Sequence, residues 1–238
     1  MTQVLAHRGA SKARRENTID AFRLAAELGS DAVELDVRRT ADGLLVVHHD
    51  AHLADGRAIV DVGAADLPSH IPDLDAALDA CNGMWVNVEI KNDPQDPDFD
   101  PTDSIADRTI ATLSERGEDD RWLISSFRLE TVDRCKALAA GIRTAWLVMV
   151  VPDDVIATMV SRGHAALHPW VAMLARSHID VCHGAGIEVN TWTCDDPQRM
   201  AELVEWGIDG ICTNRPDVAI DVIAGRWPAA QTAGIDEG

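Results

Sequence analysis

The chain has 238 residues, with 40 aspartates and glutamates against 21 lysines and arginines and a formal net charge of −19. That surplus argues against nucleic acid and anionic membrane surfaces as standing partners, yet leaves room for a small anionic substrate held by a local group of cations. The length suits one large core, so a single domain is expected over 1–227, with 228–238 (PAAQTAGIDEG) read as a disordered tail.

A strand pattern opens at once with QVLAH, leaving no room for a secretory leader, and no apolar run approaches membrane-spanning length. Five widely spaced cysteines without a C-x-x-C read as core thiols of a reducing compartment. A cytoplasmic protein without stable membrane association is expected; the oligomeric state is left open.

In chain order, eight short apolar runs read as strands: Val4–His7, Ala32–Val37, Trp85–Ile90, Trp122–Ser125, Arg143–Val148, Ala165–His168, Glu188–Trp192 and Gly210–Thr213. Helical spacing lies between most of them, as in Ile19, Phe22, Ala26 before Gly29, or Ile105, Thr109, Leu113 before Gly117. Asn17-Thr18 caps the first helix, and Asp196-Pro197 opens a later one that Gly207 ends. Eight alternating βα units predict an α/β fold, a (β/α)8 TIM barrel. Leu45–His48 is a ninth strand-like piece, joined to Ala32–Val37 by the tight turn TADG, and reads as a β-hairpin insertion after strand 2.

Barrel enzymes carry their chemistry at the carboxyl ends of the strands. There this sequence places His7-Arg8, Glu34 and Asp36, His48-His49-Asp50, Glu89 and Lys91, Ser125–Phe127, His168, Asn190, Trp192, Asp195, and Thr213-Asn214. Strand alternation puts Glu34 and Asp36 on one face, about 7 Å apart. The plain reading pairs one of them with Arg38 or Arg39. As a set, two acids repel and raise each other's pKa unless a cation neutralises them. With Glu89 they form an all-oxygen group suited to one hard divalent cation, Mg2+ or Ca2+. His7 and His49 are the candidate acid and base, each followed by a possible partner, Arg8 or Asp50. One neutral and one protonated ring could serve a phosphorus centre, with Arg8 and Lys91 neutralising phosphoryl oxygens. His52, His70, His164, His178 and His183 read as ordinary core or surface groups. The segment 92–103, NDPQDPDFDPTD, reads as a stiff solvated loop over the mouth, with a lid or second-cation role as the alternative.

His7-Arg8-Gly9, Glu16-Asn17-Thr18 with Ala21-Phe22, and VELDV with RTADGLLVVHHD closely resemble the glycerophosphodiester phosphodiesterase family. The resemblance continues through Ile71–Leu78, Val88–Lys91, Ser126-Phe127, Val189–Thr193 and Gly207–Asp217, in the right order over nearly the whole chain. It implies a phospholipase-C-like phosphodiesterase barrel that uses one divalent cation to hydrolyse glycerophosphodiesters to sn-glycerol 3-phosphate and an alcohol. It implies metal ligation by Glu34, Asp36 and Glu89 and catalysis by His7 and His49. Phosphate contacts fall on Arg8 and Lys91, and the site wall on Phe127 and Trp192. In the scheme it implies, the substrate's own 2-hydroxyl attacks phosphorus, giving a cyclic phosphate that water opens. Two departures are visible: a shorter insertion between Asp50 and Ile71, and Arg15 where the family often has proline before Glu-Asn-Thr. The shorter insertion leaves a lysophospholipid or other phosphodiester as the alternative substrate; a non-catalytic phosphodiester-binding barrel is the alternative from another class.

Overall fold

The structure is a computed structural model that describes residues 1–227, so the expectation of a disordered tail over 228–238 lies outside the described residues. Eight parallel strands close into a barrel: β1 (Gln3–His7), β2 (Ala32–Arg39), β4 (Trp85–Ile90), β5 (Trp122–Ser126), β6 (Arg143–Val148), β7 (Ala166–Pro169), β8 (Glu188–Thr191) and β9 (Gly210–Thr213). β1 pairs with both β9 and β2, which completes the ring. β3 (Leu45–Val47) runs antiparallel to the end of β2, with Val37 opposite Val47, and is the expected hairpin rather than a stave. Helices α1 (Ile19–Leu28), α2 (Leu74–Ala80), α3 (Ser104–Arg116), α4 (Leu129–Leu138), α5 (Val155–Arg162), α6 (Arg176–Gly184), α7 (Pro197–Glu205) and α8 (Pro216–Ile223) separate the strands. Among the described residues, no helix is long and apolar enough to cross a membrane.

Alternation along the strands divides the chemistry. On β2, Val33, Leu35 and Val37 face outward and pack with Phe22 of α1, Leu74 and Leu78 of α2 and Leu113 of α3. A second outer core joins Val189 and Ile211 to Met200, Leu203 and Val218. The opposite parity fills the barrel: Leu5, Ala32 and Cys212 pack together with Trp85, and above them come polar residues. Asp196 caps α7 by accepting from Gln198 N at 3.1 Å, and Pro197 follows at the first helical position, as expected.

His168 is one of those interior polar residues, fully enclosed on β7 and 3.1 Å from the Asn190 amide. Burial, helped by the charge of Arg143, pushes its pKa down from 6.5 to about 3. The folded ring therefore stays neutral where the unfolded ring binds a proton, so acidification below 6.5 favours the unfolded chain. Between pH 7 and pH 5 this single group is expected to remove about 2 kcal/mol of stability, at about 1.4 kcal/mol per unit below 6.5. Urea unfolding of wild type and His168→Gln at both pH values checks this: the variant should lose less stability on acidification, and equal losses would contradict it.

Candidate active site

β1 ends in His7, and the chain then turns through two left-handed residues, Arg8 (φ 56°) and Gly9 (φ 81°). Gly9 is required there twice over, by its φ and because a Cβ would come within 2.6 Å of the Ala21 backbone. The turn aims the Arg8 backbone N–H at Glu34 Oε2, 2.9 Å away. Glu34 and Asp36 share the inward face of β2, and the β2–β4 register sets Glu89 beside Asp36. One carboxylate oxygen from each of the three lies within 4.8 Å of the others, and all three residues are buried.

Neither Arg38 nor Arg39 pairs with these acids, contrary to the plain reading. The neighbouring cations are Lys91 and Arg8. Lys91 Nζ sits 2.8 Å from Asp36 Oδ1 and also bonds Glu89, while Arg8 Nε is 3.3 Å from Asp36 Oδ2. A third partner of Asp36 is Asn17, whose Nδ2 donates to Oδ2 at 2.7 Å. The helix cap is thus Thr18 alone, accepting from Ala21 N, while Asn17 serves the site.

The three acids differ in charge balance. Burial would raise Asp36, but Lys91 and Arg8 outweigh it and hold the carboxyl below its usual range. Glu34 is pushed well up by burial and then by Asp36 and Glu89, and its Oε1 has no hydrogen-bond partner. Glu89 is raised by burial, with Lys91 opposing. An all-oxygen donor set, buried, with one unpartnered carboxylate oxygen and an excess of negative charge, fits a hard divalent cation. Glu34, Asp36 and Glu89 are the residues that would hold it.

His7 does not rely on Arg8 as its partner. Its Nδ1 lies 2.7 Å from Asn214 Oδ1, and Asn214 Nδ2 donates to Asp195 Oδ2 at 2.6 Å. The carboxylate fixes which end of the amide faces His7, so Nδ1 carries the proton and Nε2 keeps its lone pair. Burial and the nearby Arg8 lower the His7 pKa to about 4. The ring is thereby held neutral. Asp50 is the expected neighbour of His49, with Nδ1 and Oδ1 2.7 Å apart. His7 is thus largely buried beside a cation, whereas His49 is partly exposed beside an anion.

A cavity of about 780 Å3 adjoins this centre, and His49, His52, Glu89, Lys91, Pro94 and Phe127 are among the residues that line it. Phe127 and Trp192 meet edge to face at 5.2 Å, and Trp192 also lines the small space beneath His7 and Glu34. Of the histidines read as ordinary, His164 bonds Thr144 and Asp133, and His183 bonds Asp209, both away from this centre. Arg15 reaches the exposed His70, at 2.8 Å.

The segment 92–103 is a solvated loop only in part, with residues 93–95, 97, 101 and 102 exposed. Asp98, Asp100 and Asp103 are buried. Arg38 of β2 binds Asp98, Arg128 ahead of α4 binds Asp103, and Asp100 accepts from the backbone of Thr102 and Ser104. Arginines from two neighbouring elements convert a run of acids into a folded wall of the cavity.

A model of the glycerophosphoryl diester phosphodiesterase family matches residues 7–218. The chain belongs to this family. Within it, the chain is similar to the glycerophosphodiester phosphodiesterase of Caldanaerobacter subterraneus, at 29% identity over 93% of this chain and 98% of that one. It is 31% identical to the probable glycerophosphodiester phosphodiesterase 2 of Mycobacterium tuberculosis, over 95% and 93% of the two chains. Among solved structures, a phosphodiesterase from Oleispira antarctica in complex with the product sn-glycerol-3-phosphate superposes with a TM-score of 0.82 at 26% identity, over 94% and 97% of the chains. A structure from Silicibacter pomeroyi shares the fold, with a TM-score of 0.84 at 22% identity, over 94% of each chain. The TIM barrel and the family's phosphodiesterase character are thereby established for this chain.

Proposed function

We propose that this protein hydrolyses glycerophosphodiesters to sn-glycerol 3-phosphate and an alcohol in a reaction that depends on one divalent cation, Mg2+ or Ca2+. The observation that carries this reading is the meeting, at one barrel rim, of three buried carboxylates with two histidines, His7 bonded to Asn214 and His49 to Asp50. Bound to Glu34, Asp36 and Glu89, the cation would supply Lewis-acid stabilisation of phosphoryl charge. His7 Nε2 takes the proton of the substrate's glycerol 2-hydroxyl as its oxygen attacks phosphorus. The bond from phosphorus to the alcohol breaks, and His49 gives that oxygen a proton. Water then opens the cyclic phosphate, with the two rings exchanging roles. Arg8 and Lys91, poised above Asp36, offer N–H donors to the phosphoryl oxygens, and the Phe127–Trp192 pair forms an apolar wall for the glycerol carbons. All five cysteines are free and buried, which supports placing the protein in the cytoplasm.

The deciding experiment measures release of sn-glycerol 3-phosphate from glycerophosphocholine and glycerophosphoethanolamine with Mg2+, with Ca2+ and with EDTA, beside lysophosphatidylcholine. Release that needs a metal and that favours the glycerophosphodiesters is the expected result. Turnover of lysophosphatidylcholine alone would replace the substrate, and no phosphodiester cleavage under either metal would sink the reading.

A further inference from the structure

We propose that Arg38 is a positioning residue for His49: its buried guanidinium grips the His49 carbonyl and is itself locked in place by Asp98 and Asp96 of the wall 92–103. The proposal rests on the reading of His49 as the group that protonates the leaving alcohol. Arg38 stands one step beyond Asp36 on the same face of β2, just above the layer of carboxylates, and is only 3% exposed. A guanidinium taken out of water is tolerable only when its donors are matched. Here they are matched from two directions. Nη1 donates to Asp98 Oδ1 and Oδ2 at 2.8 and 2.7 Å, and Nη2 to Asp96 Oδ2 at 2.9 Å. Nε donates to the His49 carbonyl at 2.8 Å.

The residues on either side of His49 form neither helix nor strand, so no ladder holds the segment that carries the ring. The last sheet-like anchor before it is His48 N donating to Asp36 O at 3.0 Å, and the next is Ile59 N donating to Ala51 O at 2.9 Å. Between these, the Arg38 bond ties the His49 backbone to the rigid β2 strand. The same guanidinium ties that segment to the wall across the cavity, since Arg38, His49 and Asp96 line one space. A proton donor must stay within hydrogen-bond reach of the departing oxygen, and a displacement of about 1 Å can cost on the order of a hundredfold in rate. Asp98 thus acts at one remove: it holds the residue that holds the acid.

The test compares two esters of the same glycerol phosphate, one with choline, whose alkoxide needs a proton to leave, and one with 4-nitrophenol, whose anion leaves without one. Arg38→Lys keeps a charge for Asp98 but has no Nε–H for the His49 carbonyl. It is expected to lower kcat on the choline ester by roughly tenfold or more and on the nitrophenyl ester by less than about threefold. His49→Ala should show the same asymmetry more strongly, and Arg38→Lys added to His49→Ala should cost little further. Equal losses on both esters, no loss on either, or full additivity with His49→Ala would each overturn the proposal.

If Arg38→Lys does not fold, Arg38→Gln combined with Asp98→Asn removes both charges of the pair together and carries the same comparison. A readout without substrate separates this idea from the function it rests on. The His49 imidazole NMR signals, identified by their loss in His49→Ala, should shift in the Arg38 variant while those of His7 stay put. Unmoved His49 signals would reject the proposal even in an active enzyme, whereas shifted signals in a protein that cleaves neither ester would support the positioning and reject the assigned reaction.

Discussion

His49→Ala is expected to lower kcat for glycerophosphocholine by roughly 10²–10⁴-fold, the range for loss of a positioned proton donor. The protein itself should barely notice. His49 lies on an irregular segment with its ring partly exposed, and its one side-chain partner, Asp50, is more exposed still. Removing the ring leaves no buried cavity and strands no buried polar atom, so unfolding should stay within about 0.5 kcal/mol of wild type. That separation distinguishes His49 from His7. His7 is largely buried and holds Asn214, which also accepts from Ser11 and donates to Asp195. Its loss empties a place in a polar network as well as removing the base. Steady-state kinetics and urea unfolding on His49→Ala check the prediction together. A fall in activity matched by a fall in stability would mean that the residue supports the loop more than the chemistry.

The parts of this site that were legible in the sequence are those governed by short-range geometry. Strand parity is rigid, so E-L-D on β2 and V-E-I-K on β4 had to aim Glu34, Asp36 and Glu89 at one space once the barrel was recognised. His49 and Asp50 are adjacent, and their pairing needed no fold. What stayed hidden depends on residues brought together by closure of the barrel. Asn214, which sets the tautomer of His7, is 207 positions away, contributed by the segment after β9 next to β1. Asn17 followed the composition of a helix cap, but it is left-handed itself (φ 54°), precedes the cap Thr18, and turns its amide to Asp36 instead. The aspartates of 92–103 look solvated because their arginines lie far off in sequence, 60 positions for Arg38 with Asp98 and 25 for Arg128 with Asp103. Charge pattern alone cannot reveal that such a loop is neutralised from outside itself.

The three carboxylates should respond to neutralisation with opposite signs, because only one of them lacks a cation. Asp36 is held by Lys91, Arg8 and Asn17. Asp36→Asn leaves Lys91 facing Glu89 alone inside the barrel mouth, and removing one partner of a buried ion pair is expected to cost about 3–5 kcal/mol. Glu34 is in the reverse position. Its fold offers it one backbone N–H and no close cation, and burial with Asp36 and Glu89 raises its pKa well above 4.5. At neutral pH the unfolded chain ionises Glu34 freely while the metal-free fold resists that charge, so this residue destabilises the fold as pH rises above about 4.5. Glu34→Gln should therefore make the metal-free protein more stable at pH 7, with the gain shrinking as pH falls towards 4.5. The same change should abolish the effect of the cation. Wild type with Mg2+ or Ca2+ at a hundred times its dissociation constant gains about 2.7 kcal/mol by mass action, and Glu34→Gln should gain nothing measurable. Thermal unfolding of wild type, Glu34→Gln and Asp36→Asn, each with EDTA and with metal, reads all of these signs at once. A stabilised, metal-blind and inactive Glu34→Gln would identify the excess negative charge as the feature kept for the cation at the expense of the fold. A destabilised one would mean that Glu34 is balanced by the protein itself, and would remove the reason for placing a metal there.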